Sequence, residues 1–420
     1  LFPVKKAEAV SQWARKYKME CQACHTSFPR LNYFGEKFQR NGYQIPDTED
    51  GDENKEKLSD TTYIDNLLNM FGIRIAVTPL NVRTSGLTTP NGNVTARTSF
   101  GNTDWVQFFS AGSIFKNTSI FIETEVTDTA IHNNWFTLGY HNLFESNLLN
   151  LRVGKLSVMN WHVLSGRLRM IPNIGVEGWN SVSSSEGTRT TGTGAFTIND
   201  QVTIASPQPG IELYGYKGPA LYSFGVVNGS ALSDNNEFKN VFGTLRLEVP
   251  EGELAGSAVS AFGYWGTDTA SLGAVRNRNR FYRISGAANA RWKKWDVITG
   301  YIFNRDKDWD MLTAGNQRNT VHSVAGQVGY LVNPKWFAAA QYDYVRDTDN
   351  GGSSAAAGVE GGAPGNSTAP RGTNDFHKIS PSIWYMPRQN MRIGFVNRYE
   401  LRNHFGGRQH DFIVHVRSMF

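Results

Sequence analysis

The stretch Phe71-Gly72-Ile73-Arg74-Ile75-Ala76-Val77-Thr78 decides the reading of the chain, because Phe71, Ile73, Ile75 and Val77 alternate with Gly72, Arg74, Ala76 and Thr78. Side chains of a strand point alternately to its two faces, so this run has one apolar face and one small or polar face. The pattern returns where Ile120, Ile122, Thr124 and Val126 alternate with Phe121, Glu123 and Glu125. It returns again at Leu149-Leu151-Val153, Ile211-Leu213, Leu245-Leu247, Val324-Gly326-Val328 and Ile393-Phe395. A single run of this kind is weak. About sixteen of them, an even number, are the signature of a transmembrane β-barrel. They are expected to start near residues 71, 104, 118, 134, 148, 208, 220, 240, 256, 281, 295, 320, 336, 377, 391 and 410.

The links between these runs carry a second signal. Short turns are expected at Lys116-Asn117, Lys217-Gly218-Pro219, Pro250-Glu251-Gly252, Asn333-Pro334-Lys335 and Pro387-Arg388-Gln389. Long links are expected at 79–102, 159–207, 267–280, 305–319 and 346–376, in strict alternation with the short ones. Short turns at one end and long loops at the other are what an outer-membrane barrel presents. The last run places Phe412, Val414, Val416, Ser418 and Phe420 on one face, with Asp411, His415 and Arg417 on the other. A final amphipathic strand ending in Phe looks like the terminal strand of outer-membrane proteins.

Composition agrees. The chain has 420 residues, of which 12% are aromatic, 42 are Gly and only 19% are charged. Mean hydropathy is −0.41 and no run reaches the eighteen or so apolar residues of a membrane helix, which excludes a helical membrane protein. The net charge of +5 is modest, and no basic run interleaved with aromatics points to nucleic acid. A first residue Leu1 with no apolar leader segment leads us to expect a processed, exported chain.

The first seventy residues have a different character. The two cysteines sit as Cys21-Gln22-Ala23-Cys24-His25, the attachment signal of a c-type haem. Two thiols at this spacing reach the two vinyl groups of one porphyrin, and the adjacent imidazole of His25 reaches the iron. A zinc site would need further ligands, yet the next His or Cys after His25 is His132. A thioredoxin-like site would need a βαβ context that the flanks do not supply. A disulfide across so short a span is strained and leaves His25 unexplained. Val10, Trp13, Ala14 and Tyr17 share one helical face. Ser27 and Pro29 are expected to start a second helix bearing Leu31, Phe34 and Phe38, with Gly42 at its end. Trp13, Tyr17, Leu31, Phe34 and Phe38 are expected to pack against the haem, since so few residues can bury little else. The domains expected are therefore a helical haem domain over 1–46, an acidic and polar linker over 47–69, and a barrel over 70–420.

A single C-x-x-C-H near the start, the stretch Pro29-Arg30-Leu31-Asn32-Tyr33-Phe34-Gly35, and a large barrel behind them form a distinctive combination. Together with Trp13-Ala14-Arg15, Phe38, Gly42 and Tyr43, they resemble the fused monohaem cytochrome c–porins of the bacterial outer membrane. The likeness is specific over about the first forty-five residues and architectural beyond. It implies oxidation of extracellular Fe(II) at one c-type haem and passage of electrons to a periplasmic cytochrome c or cupredoxin. The barrel would lie in outer-membrane lipid, with the haem domain plugging its lumen and facing the periplasm. Export of electrons to an external acceptor and a haem-gated diffusion porin are the alternatives.

A sixth iron ligand does not follow the motif, because no Met or His lies between Thr26 and Asn69. Met19 is too close to Cys21 to cross the porphyrin. The link after the fifth strand carries Met159, Trp161, His162 and Met170, and in sixteen-stranded porins this link folds into the lumen. Met159 and His162 are thus candidate distal ligands, beside His415 and an exchangeable water. Asp306, Asp308 and Asp310 alternate in an expected external loop and could hold Fe(II) transiently or calcium, as could Asp347 and Asp349. Glu123, Glu125, Arg152 and Lys155 are expected to line the lumen, and the Gly-, Ser- and Ala-rich 350–370 to form an external loop without chemistry. No nucleophile–base pair or phosphate loop is visible.

Overall fold

A computed structural model describes residues 11–27, 29–46, 55–57, 59, 63–65, 69–86, 95–115, 117–127, 130–165, 170–171, 190–191, 194–195, 197–199, 204, 207–229, 237–272, 275–307, 318–350, 376–402 and 408–420. Sixteen antiparallel strands form a closed barrel. They are β1 (Phe71–Gly86), β2 (Thr95–Phe115), β3 (Thr118–Val126), β4 (Ile131–Tyr140), β5 (Asn150–Leu156), β6 (Gln208–Lys217), β7 (Ala220–Val227) and β8 (Asn240–Glu248), followed by β9 (Ala258–Leu272), β10 (Val275–Trp292), β11 (Trp295–Asp306), β12 (Asn319–Asn333), β13 (Trp336–Asn350), β14 (Phe376–Arg388), β15 (Met391–Arg402) and β16 (Arg408–Met419). Each strand pairs with the next, and the ring shuts where β16 meets β1, from Arg408 opposite Gly86 to Met419 opposite Arg74. β5 and β6 pair directly across the long 157–207 segment, with Gln208 opposite Leu156. Thr197–Asn199 from that segment adds a short ladder to the far part of β9.

Closure satisfies every strand edge, which a lipid-embedded sheet requires. The outer face carries Ile73, Ile211, Leu245, Val259, Ile284, Val328, Ile383 and Phe395, all exposed. Exposed Phe115, Tyr140, Trp292, Trp295 and Trp336 lie at the short-turn end, and Trp265, Tyr301 and Tyr399 nearer the loop end. The inner face holds Glu212, Arg246, Arg283, Asp343, Lys378, Arg392, Asp411 and Arg417, all buried. Apolar outside and charged inside is the inverse of a water-soluble protein and the arrangement of a membrane-spanning barrel. The last strand follows its sequence pattern, with Asp411, His415 and Arg417 turned inward.

The loop expectations need several corrections: β1 runs on to Gly86 and β2 starts at Thr95, so most of the expected 79–102 link is strand. β9 and β10 continue as a paired hairpin to Leu272 opposite Val275, so 267–280 is strand rather than loop. β3 and β4 are joined by only 127–130 at the loop end, whereas 141–149 at the turn end is longer, so the alternation is not strict. Asp306 ends β11 instead of lying in a loop, and β13 extends through Asp347 and Asp349. Asp308, Asp310 and residues 351–370 lie outside the described residues, as does most of the linker, within which Lys55–Lys57 pairs with Tyr63–Asp65.

The N-terminal segment comprises α1 (Gln12–Tyr17), α2 (Cys21–Cys24) and α3 (Tyr33–Arg40). Ser27 and Pro29 do not start the second long helix. His25–Ser27 and Arg30–Leu31 pair as a two-stranded turn, and α3 begins at Asn32, whose side chain accepts a bond from the Gly35 amide at 2.9 Å. Asn is among the strongest N-caps. Gly42 follows the helix with φ +69°, as a left-handed terminator should.

Candidate functional site

The helical segment sits in the barrel lumen at the short-turn end. Its backbone reaches the rim, where the Cys21 amide donates to Gln389 Oε1 at 3.0 Å and Gln22 Nε2 to the Pro334 carbonyl at 3.4 Å. Three charged side chains lock it to the wall. Arg30 makes a bidentate pair with Asp296 of β11, at 2.6 and 2.7 Å, with no exposure of its side chain. Glu36 is shared by Arg246 of β8 and Arg291 of β10, and Arg40 Nη1 lies 2.7 Å from Glu248 of β8. Burial alone would raise the Glu36 carboxyl, but Arg246, Arg291 and Arg30 together hold it at about 2.

The aromatic residues do more than face one another. Trp13 stacks on Tyr43 at 4.8 Å, Phe38 meets Trp13 and Tyr17 edge-on, and Tyr43 stacks on Phe121 of β3. Phe109 and Ala111 of β2 complete this cluster, against which Phe34 also packs. A forty-residue segment thus obtains a core by borrowing the barrel wall, a contribution the sequence pattern did not reveal.

Around the C-x-x-C-H motif the local geometry is tight. Asn32 Nδ2 donates to the Ala23 carbonyl at 2.9 Å, and the Asn32 amide to the Cys24 carbonyl at 2.9 Å. A Cβ on Gly35 would lie 2.2 Å from the Cys24 carbonyl oxygen, so only glycine lets α3 cross this close to α2. Asn32 and Gly35 therefore clamp the motif from one side. His25 Nδ1 lies 3.3 Å from the Pro29 carbonyl, which makes Nδ1 the protonated nitrogen and leaves the lone pair on Nε2. Burial lowers the His25 pKa to about 4; bonds to the Pro29 and Arg30 carbonyls oppose the shift, and the charges of Arg392 and Arg74 add to it. The imidazole is accordingly neutral at physiological pH, as a metal ligand must be. Burial likewise raises both thiols, Cys24 to about 11, so they stand as protonated thiols. Thiols on one turn of helix and a neutral imidazole whose Nδ1–H is held by the Pro29 carbonyl fit a covalent haem.

Residues 157–165 and 170–171 fold into the lumen. Val158, Met159, Val163, Leu164, Met170 and Ile171 pack with inward Phe262, Tyr264, Phe337 and Trp384. Met159 belongs to this apolar cluster, and His162 faces Phe262 with its Nδ1 accepting from the Leu164 amide. Met386 Sδ of β14 is 3.8 Å from Ser27 Oγ, two residues after His25. His415 faces Trp384 and lies 3.5 Å from Asp104. Glu123, Glu125 and Arg152 bond within the lumen, and Lys155 caps the Asn133 carbonyl. Asp306 is committed to Arg283 at 2.8 Å and Asn279 at 2.7 Å. Among the described residues no group of three His, Cys, Asp or Glu side chains is arranged to hold a metal ion.

Arg30, Glu36 and Arg40 were invisible as site residues in the sequence. The i, i+4 spacing of Glu36 and Arg40 reads as a pair within one helix, yet each reaches across to the barrel instead.

No family model and no curated protein matches the sequence. Among solved structures, the chain is similar to the anion-selective porin of Comamonas acidovorans, with a TM-score of 0.53 and 10% identity over 83% of this chain and 99% of the porin. It is similar to Salmonella typhi OmpF, solved with daunomycin, with a TM-score of 0.51 and 12% identity over 89% and 100%. It is also similar to OmpT of Vibrio cholerae, with a TM-score of 0.50 and 12% identity over 87% and 100%. At these identities the likeness establishes a barrel of the outer-membrane porin fold.

Proposed function

We propose that this chain is an outer-membrane electron conduit of the fused cytochrome c–porin kind, which accepts electrons from external Fe(II) and delivers them to a soluble carrier in the periplasm. The turn end, which holds both ends of the barrel sequence and the helical segment, faces the periplasm in this reading. The reading is supported by the C-x-x-C-H motif at the turn-end mouth of the lumen, where the Cys21 amide donates to Gln389 and His25 Nδ1 lies 3.3 Å from the Pro29 carbonyl. A c-type haem held there would supply a one-electron redox site at that end of the barrel. The protein's own residues perform the remaining tasks. The two cysteines would anchor the group, and His25 Nε2 would ligate its iron. Asn32 and Gly35 hold that ligand turn against α3. Arg30, Glu36 and Arg40 fix the segment at one depth in the barrel, which sets the distance to both membrane surfaces. The inward residues 157–165 and 170–171 pack the lumen, which opposes water and ion flow beside the redox site.

Purified oxidised protein mixed anaerobically with Fe(II) should show rapid growth of the reduced haem bands, saturating with iron, and a Cys21→Ala/Cys24→Ala variant should show none. Reduction by dithionite but not by Fe(II) at any pH would sink the iron reading and redirect the search to another donor or to electron export.

A second reading is favoured by the porin fold itself: a diffusion porin in which the helical segment is the gate. Ion conductance in planar bilayers, present in the intact protein and changed by haem reduction, would select it.

A further inference from the structure

We propose that the loop-end rim of the outer wall, over β10 to β13, binds a lipid of the outer leaflet whose sugar headgroup carries phosphates, with Arg280, Arg305, Lys307 and Arg346 as the phosphate ligands. The proposal rests on the outer-membrane porin fold and is independent of what the lumen carries. Side chains alternate along β10, and buried Phe281 and Arg283 face the lumen. Exposed Ile284, half-buried Tyr282 and exposed Arg280 and Arg278 therefore face outward. Trp292 and Tyr282 lie ten residues apart on this outward face. At about 3.3 Å per residue and a tilt of about 40°, they are separated by about 25 Å along the membrane normal. That is the height of the apolar belt of an outer-membrane barrel, so the two rings mark its edges. Arg280 and Arg278 stand just beyond the belt, at the level of the lipid headgroups.

The next three strands continue the row. Tyr282 is opposed to Arg305 of β11, and the Lys307 amide donates to the Arg280 carbonyl at 2.9 Å. Phe303 of β11 is opposed to His322 of β12, which is opposed in turn to Arg346 of β13. Directly opposed residues share a face, so Arg305, His322 and Arg346 point outward with Tyr282. Beneath the cations the rings join into one group. Tyr282 meets Phe303 at 5.9 Å, Phe303 meets His322 at 5.2 Å, and Tyr301 Oη lies 2.6 Å from His322 Nδ1. Aromatics at the belt edge with guanidinium groups above them suit acyl chains topped by phosphate. The carboxylates of these strands do not serve the row. Asp296, Asp306 and Asp343 are buried on the inward face, beside Arg30, Arg283 and Lys378. Among the described residues only exposed Glu237 approaches an outward cation of this rim, at 3.4 Å from Arg278. Four strands at about 4.8 Å spacing carry the row across about 14 Å, wider than one phosphodiester headgroup. A headgroup with two phosphates on a disaccharide spans it. The long-loop end faces the cell exterior in barrels of this kind, which places the row in the outer leaflet.

Titration of the full chain in detergent with lipid A bearing both phosphates, read by native mass spectrometry, tests this directly. The unmodified protein should bind it, and should bind dephosphorylated lipid A and phosphatidylglycerol far more weakly. Affinity should fall roughly a hundredfold in Arg280→Gln/Arg305→Gln/Arg346→Gln, since each cation beside an anionic lipid surface counts for about fivefold. Arg280→Lys/Arg305→Lys/Arg346→Lys should retain most of the binding, and Lys293→Gln/Lys294→Gln at the opposite rim should retain all of it. Equal uptake of lipid A with and without its phosphates by the unmodified protein would overturn the proposal. So would a folded glutamine variant that binds as tightly as the parent. Phosphatidylglycerol bound as tightly as lipid A would assign the row to phospholipid and overturn the sugar-lipid assignment. The presence or absence of haem changes none of these outcomes.

Discussion

Gly35 and Asn32 show how much a single residue can carry when two backbones meet. Any side chain at position 35 would drive a Cβ into the Cys24 carbonyl, and the backbone of the ligand turn has nowhere to retreat. Gly35→Ala should therefore destabilise the segment by about 1–3 kcal/mol, as over-packing commonly does. The check is thermal unfolding alongside the fraction of chains that carry covalent haem, both of which should fall. Asn32→Ala removes the cap of α3 and the bond to the Ala23 carbonyl, and should cost about 1 kcal/mol by the same measurement. Position 42 is constrained in the same way, because its backbone is left-handed and a Cβ there would run into the ring of buried His141.

At the level of elements, α3 is both a helix and a bolt. Its Glu36 balances two barrel arginines in a buried site, so Glu36→Gln would leave Arg246 and Arg291 without their shared carboxylate. Breaking a buried pair from one side costs about 3–5 kcal/mol, enough to undock the segment without unfolding the barrel. Protease cleavage within 11–46, slow in the parent, should become fast in the variant. The pH dependence follows from the same group. The Glu36 carboxyl is held at about 2 in the folded state, below its ordinary value of 4.5, so its contribution is complete above about pH 4.5. That contribution is lost as pH falls toward about 2. Docking measured by the same cleavage should thus persist through mildly acidic conditions and fail only in strong acid.

For the molecule as a whole, the lumen decides between a conduit and a pore. The helical segment fills one end, and residues 157–165 and 170–171 pack against the wall. Intact protein in planar bilayers should pass little current, and removal of residues 1–46 should raise the conductance severalfold. A large current through the intact protein would instead favour the porin reading. The exposed outer belt also predicts that the barrel remains soluble only in detergent, whichever variant is studied.

The barrel was legible in the sequence because its cause is local. Alternation of apolar and polar residues is enforced strand by strand by lipid on one side and a wet, charged lumen on the other, so starts such as 71, 118, 208, 220, 240, 295, 336 and 391 coincide with those observed. Strands β2 and β10 begin earlier, at Thr95 and Val275, because their extensions beyond the lipid no longer need an apolar face and leave no alternation to read. The C-x-x-C-H motif of Cys21, Cys24 and His25, on which the proposed haem site rests, was legible for a similar reason, since that chemistry would demand those residues within five positions. Only the tertiary structure decided what those residues face. The cradle of Arg30, Glu36 and Arg40 joins residues hundreds of positions apart. Their meaning lies in burial, and a charged side chain in a sequence does not say whether water or a partner surrounds it.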